Sequence, residues 1–263
     1  MSFQQPYRSP FELRWRMAGI EFRVTPTFWI IALLIAYFVI GRFHPALMAV
    51  DVACIFVSLV FGLLVRGLVY RSYGLRSVAV LQDLGSSVTP EAEPPFTIQR
   101  IVAALSTPAA AFALFMLVRI TNKEFNWARS HPPYTVFAYI ILYYVNLVWG
   151  ILSLLPVFPM SGGVVIKEIL TKFSPINGLR ATFILSFLIG AAYCVYCIMV
   201  LTNNMERVMV TKDLPLPANL FAAFIFGFLA YQNLMILNHV NRQIKQIRSI
   251  RNDTEYIDKD DYR

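Results

Sequence analysis

Apolar residues fall in long blocks separated by short polar stretches. The blocks cover about residues 26–40, 46–70, 101–120, 136–155, 179–201 and 218–237. Most reach the ~20 residues an α-helix needs to cross a hydrocarbon core of ~30 Å, so the pattern predicts six membrane-spanning helices. Two segments, 19–24 and 77–81, alternate apolar and polar residues with period two and predict strands. In 164–173 the period is helical. Val165, Ile166, Ile169, Leu170 and Phe173 lie opposite Lys167, Glu168, Thr171 and Lys172, as in an amphipathic helix at a membrane interface. The expected fold is therefore an all-α polytopic membrane protein, a six-helix bundle with small β-elements at the N-terminus and in the loop after the second span. Residues 1–24 form a cytoplasmic leader, 25–240 the membrane domain and 241–263 a tail. The tail is basic and helical through Arg251, then charged and irregular from Asn252.

Composition narrows the class. The chain is 57% hydrophobic and 14% charged, against about 25% charged in soluble domains. Its net charge of +8 fits loops beside a membrane surface rather than a nucleic-acid partner. With both termini inside, Arg8, Arg14, Arg16, Arg23, Arg71, Arg76 and the run Arg242, Lys245, Arg248, Arg251 lie inside. Arg42, Arg119, Lys123, Arg129, Arg207 and Lys212 lie outside. That asymmetry predicts N-in, C-in topology, in a bacterial cytoplasmic (inner) membrane, with lipid as the first partner. Cys54, Cys194 and Cys197 sit in apolar blocks and read as packing residues. A zinc ribbon would need a second pair beside Cys194 and Cys197. His44-Pro45 and His131-Pro132 read as turns, and His239 as an interfacial polar tip. Two ionisable residues fall within the second block. Asp51 is expected to reach the interface. Arg66 lies ~22 Å further along the helix, too far to pair with it; it either snorkels to the cytoplasmic face, one turn from Tyr70 and Arg71, or pairs with Glu168 or Asp83, its candidate acidic partners.

Three local motifs carry more. Residues 19–29 read Gly-Ile-Glu-Phe-Arg-Val-Thr-Pro-Thr-Phe-Trp. Residues 56–74 run apolar into Tyr70-Arg71 and stop at Gly74. After the fourth block, Leu154-Leu155-Pro156-Val157-Phe158-Pro159-Met160-Ser161-Gly162-Gly163 cannot continue a helix. Backbone broken this way near a membrane is tolerated only where protein buries it or it lines a cavity. Together these resemble the site-2 protease family, zinc metalloproteases that cut within the membrane. That family pairs an HExxH on its second helix with a later N-x-x-P-x-x-P-x-D-G-G, whose Asp is the third zinc ligand. Leu84-Gly85-Ser86 and Ser106-Thr107-Pro108 resemble two further family steps.

The resemblance implies the family's bundle and also a departure from its chemistry. Counted back from Gly74, the HExxH positions hold Gly62, Leu63 and Arg66 where the family has His, Glu and His. In the later motif Ser153 stands for Asn and Ser161 for Asp, while Pro156, Pro159, Gly162 and Gly163 keep their spacing. A zinc peptidase needs three protein ligands and an open position for water, with a Glu to take the water's proton. The expectation is a degenerate member with no catalytic residues and no zinc. Its cleft, around Arg66, Ser153, Pro156, Pro159, Ser161, Gly162 and Gly163, would bind a transmembrane or juxtamembrane segment of a partner protein without cutting it. Unpaired backbone in the proline-broken loop would add an extended strand. The alternative is a divergent, active intramembrane zinc metalloprotease with ligands from elsewhere.

Overall fold

The computed structural model describes residues 11–40, 43–82, 85–125, 133–202 and 220–260. Asp83, Leu84, His131, Arg42, Arg129, Arg207, Lys212 and the N-terminal Arg8 lie outside them. The described chain forms two compact units, Met1–Leu154 and Leu155–Arg263.

The first unit opens with strands β1 (Leu13–Met17) and β2 (Ile20–Val24). Ala18 and Gly19 join them with φ of 50° and 76°. Two successive residues at positive φ are what a two-residue hairpin turn requires, and glycine adopts that conformation without strain. Helices α1 (Pro26–Ile40) and α2 (Pro45–Ser72) follow, then β3 (Ser77–Gln82) and β4 (Gly85–Pro90). The sheet order is β1-β2-β3-β4. β2 and β3 pair in parallel because two helices intervene, and the outer pairs are antiparallel. β2 and β3 were legible as strands. β1 and β4 were not, since β1 lies largely exposed on both faces and β4 reads Gly-Ser-Ser-Val-Thr-Pro.

Ile20, Phe22 and Val24 of β2 pack with Phe28 of α1, Leu63 and Tyr70 of α2 and Leu81 of β3. His44 caps α2, its Nδ1 accepting from Leu47 N–H at 3.3 Å, with Pro45 in the first turn. Gly74, at φ 77°, ends α2. Near that end, the Arg71 guanidinium donates to the Ala18 carbonyl and ties the hairpin turn to the helix.

Helices α3 (Thr97–Phe125) and α4 (Pro133–Ser153) complete the unit. Pro108 lies inside α3, where it removes one intrahelical hydrogen bond. On α4, Asn146 Nδ2 donates to Ser58 Oγ of α2 at 2.9 Å, and Cys54 Sγ donates to Ala138 O at 3.8 Å.

The second unit holds α5 (Ser161–Phe173), α6 (Pro175–Thr202) and α7 (Leu220–Asp260). α7 continues through Asp260, past the point where irregular chain was expected, because nothing in that stretch breaks a helix already started.

Of the six expected spans, five correspond to described helices long and apolar enough to cross a membrane: Pro45–Ser72, Thr97–Glu124, Tyr134–Ser153, Pro175–Thr202 and Ala222–Gln246. The exception is α1. Its 15 residues extend ~22 Å at 1.5 Å per residue, short of the ~30 Å core. Asp51 also departs from expectation. It is 1% exposed, packed within the unit instead of reaching the interface.

Candidate functional site

The sequence-predicted residues divide between the two units. In the first, Gly62, Leu63 and Arg66 lie on consecutive turns of α2. Gly62 and Leu63 are buried and Arg66 half-buried. A β-carbon on Gly62 would meet Thr107 Cγ2 of α3 at 3.4 Å, so the two helices run close there. One turn on, Arg66 Nη2 donates to the Tyr70 hydroxyl at 3.4 Å, and the guanidinium sits 5.8 Å from the centre of the Tyr70 ring. This is a weak hydrogen bond assisted by a cation–π contact. Arg66 Nε and Thr107 Oγ1 are buried and, among the described residues, have no hydrogen-bond partner. Ser153 ends α4, buried, its hydroxyl donating back to Gly150 O at 2.9 Å.

In the second unit, Pro156, Pro159, Ser161, Gly162 and Gly163 lie on one turn and the helix it feeds. The Phe158–Pro159 bond is cis. Val157 is fully buried, and Ser161, Gly162 and Gly163 are buried at the start of α5. A β-carbon on Gly163 would lie 2.7 Å from Phe158 Cα and closer still to Phe158 N. The glycine therefore lets the turn rest directly on the helix.

The expectation of free backbone in this turn is corrected at Phe158. Its N–H donates to Ser186 Oγ of α6 at 3.0 Å, and its carbonyl accepts from Asn233 Nδ2 of α7 at 2.7 Å. The Ser186 hydroxyl also reaches Pro156 O at 3.4 Å. The backbone that the prolines release from helical bonding is met by side chains, since a buried amide left bare costs about as much as a lost hydrogen bond. Neither Asn233 nor Ser186 stands in a motif that the sequence singles out. A polar residue inside each apolar block was the available signal.

On α5, Glu168 is buried beside Lys167, whose Nζ lies 3.3 Å from its Oε1 and 5.9 Å from the Phe158 ring centre. Ile169 and Phe173 are exposed instead. Val165, Ile166 and Leu170 of the same stripe are half-buried, so the apolar face is exposed mainly toward its C-terminal end. His44 is spent as a helix cap, and His239 Nε2 lies 2.9 Å from Gln243 Nε2 one turn along α7. Among the described residues no three of His, Cys, Asp and Glu gather closely enough to hold a metal ion.

The fold is similar to that of a solved structure, the site-2 protease from Methanocaldococcus jannaschii. The likeness has a TM-score of 0.56 and 19% sequence identity, and covers 86% of this chain and 94% of that one. The fold is site-2 protease-like. No family model and no curated protein sequence matches the chain. The site-2 protease-like fold, with five helices able to cross a bilayer, makes this a multi-pass integral membrane protein.

Proposed function

We propose that the chain is a pseudoprotease: a site-2 protease-like membrane protein that binds transmembrane or juxtamembrane segments of partner proteins and does not cleave them. One observation carries the reading, the chemistry of the side chains at Gly62, Leu63 and Arg66. Hydrogen and an alkyl group offer no ligand atom. A guanidinium stays protonated at every accessible pH and repels a dication. Ser161 adds only a hydroxyl, weak beside the thiolate, imidazole and carboxylate ligands that zinc takes. These residues do not fit a zinc ion, and no hydrolytic step is derived through one.

Arg66 supports the binding half of the reading. Its Nε has no protein acceptor among the described residues, and a charge-assisted hydrogen bond from a guanidinium to a carbonyl or carboxylate is among the stronger polar contacts available. A partner segment's carbonyl or carboxylate is the ligand assigned to it. The proposal places the chain in a bacterial cytoplasmic membrane with both termini inside, on the distribution of basic residues.

Metal analysis of the purified protein tests the reading. The expected result is less than stoichiometric zinc. One zinc per unmodified chain, with chelator-sensitive cleavage of single-span substrates, refutes the proposal and establishes the divergent active protease.

A further inference from the structure

Helix α6 (Pro175–Thr202) carries one charged residue in its 28, Arg180. Arg180 stands in the second turn, ~7.5 Å along the axis from Pro175. Its neighbours at helical spacing, Ile176, Ile184 and Leu188, are 53%, 45% and 55% exposed. The four residues form one stripe at i, i+4, i+8 and i+12, and the apolar three project from the unit. A partly exposed arginine at the head of an apolar, outward-facing stripe needs a counter-charge. Its Nε is buried and has no hydrogen-bond partner among the described residues.

The turn entering this helix is built to match. Gly178 lies against the last turn of α5, where a β-carbon would come 2.7 Å from Thr171 N. The α5–α6 corner is therefore tight. It projects Lys172, which is exposed, and Phe173, which is 82% exposed. From Ser161 to Thr202 the one acidic residue is Glu168, which is buried and ion-paired with Lys167. Within α5 and α6 the charge is positive, with no exposed acid to neutralise it.

We propose that the α5–α6 corner is a binding site for an anionic glycerophospholipid of the surrounding bilayer. Arg180 and Lys172 hold the phosphate-bearing headgroup. Phe173 and Ile176 sit at the headgroup–acyl boundary, and an acyl chain lies along Ile184 and Leu188. Charge complementarity selects this occupant, as does the depth of Arg180, one to two turns inside a membrane-length helix. A guanidinium fork matches phosphate oxygens, and basic residues at this level are the usual determinants of acidic-lipid recognition. An acidic side chain from a partner protein could satisfy Arg180 but would not require the apolar stripe below it.

The test is native mass spectrometry of the full chain released from detergent, with phosphatidylglycerol and phosphatidylcholine offered in equal amounts. Each basic residue near a membrane surface favours an anionic headgroup by about fivefold. The expected preference for phosphatidylglycerol is therefore roughly twentyfold. Lys172→Gln reduces it about fivefold, Arg180→Lys partly, and the pair Lys172→Gln with Arg180→Gln abolishes it. Lys172 is exposed, so its variant folds even if Arg180→Gln does not. Millimolar inorganic phosphate leaves the bound lipid in place. Equal retention of the two lipids, a preference untouched by Lys172→Gln and Arg180→Lys, or displacement by phosphate alone overturns the proposal.

Discussion

Gly163→Ala puts the packing of the proline-broken turn to a direct test. One general effect favours the alanine: it removes unfolded-state backbone freedom, which is the main source of its higher helix propensity and is worth about 0.4–1 kcal/mol. Against it stands a β-carbon 2.7 Å from Phe158 Cα, closer than real β-carbons sit, with backbone rather than a flexible side-chain end as the neighbour. The turn cannot retreat freely, because Ser186 and Asn233 hold the amide and carbonyl of Phe158 and Val157 is fully buried. Overpacking costs about 1–3 kcal/mol. Two hydrogen bonds lost or lengthened add about 0.5–1.5 kcal/mol each. The clash wins, and the expected net loss is about 1–3 kcal/mol. Equilibrium unfolding in mixed detergent micelles measures it, with Asn233→Ala alone and combined with Gly163→Ala. If the alanine pushes the turn off Asn233, the double variant loses less than the sum of the singles, since contacting residues do not act additively. A neutral or stabilising Gly163→Ala, or strict additivity, refutes the claim that the turn bears on α5.

Asp51 is buried in α2 with neither carboxylate oxygen hydrogen-bonded among the described residues. Asp51→Leu is expected to stabilise by roughly 1–3 kcal/mol, the cost of an unsatisfied buried polar group, and a fall in melting temperature points to a partner for the carboxylate. Asn146→Ala and Ser58→Ala remove the α2–α4 hydrogen bond; each costs about 0.6–1.7 kcal/mol, and a double-mutant cycle with no coupling contradicts the 2.9 Å contact. Arg66→Met keeps the apolar stem but loses the cation–π contact with Tyr70, worth about 0.5–1 kcal/mol, so stability falls by no more than about 1 kcal/mol while capture of a single-span partner segment falls. Loss of folding instead makes Arg66 a structural residue, and unchanged capture removes it from the binding site.

Length and local chemistry made much of this protein legible as sequence. A block of ~20 apolar residues spans a membrane whatever surrounds it, and two prolines three residues apart stop a helix on any scaffold. Hence the end of α4, the C-terminal end of α5, the cap at Gly74 and the strands β2 and β3 could be read directly, whereas Gly162 and Gly163, read as part of the break, lie inside α5. Interactions between distant residues were not legible, because neither apolar periodicity nor propensity encodes them. Phe158 finds its acceptor on Ser186, 28 residues on, and its donor on Asn233, 75 residues on. Each reads in sequence only as a polar residue in an apolar helix. The same limit hid the burial of Asp51, whose place near the start of a span implied water within reach. It also hid β1, whose exposed edge lacks any pattern without the partner strand. Hydrophobic spacing determined which segments could be helices in a membrane, while the partners of each polar group were decided only when the folded chain brought remote residues within bonding distance.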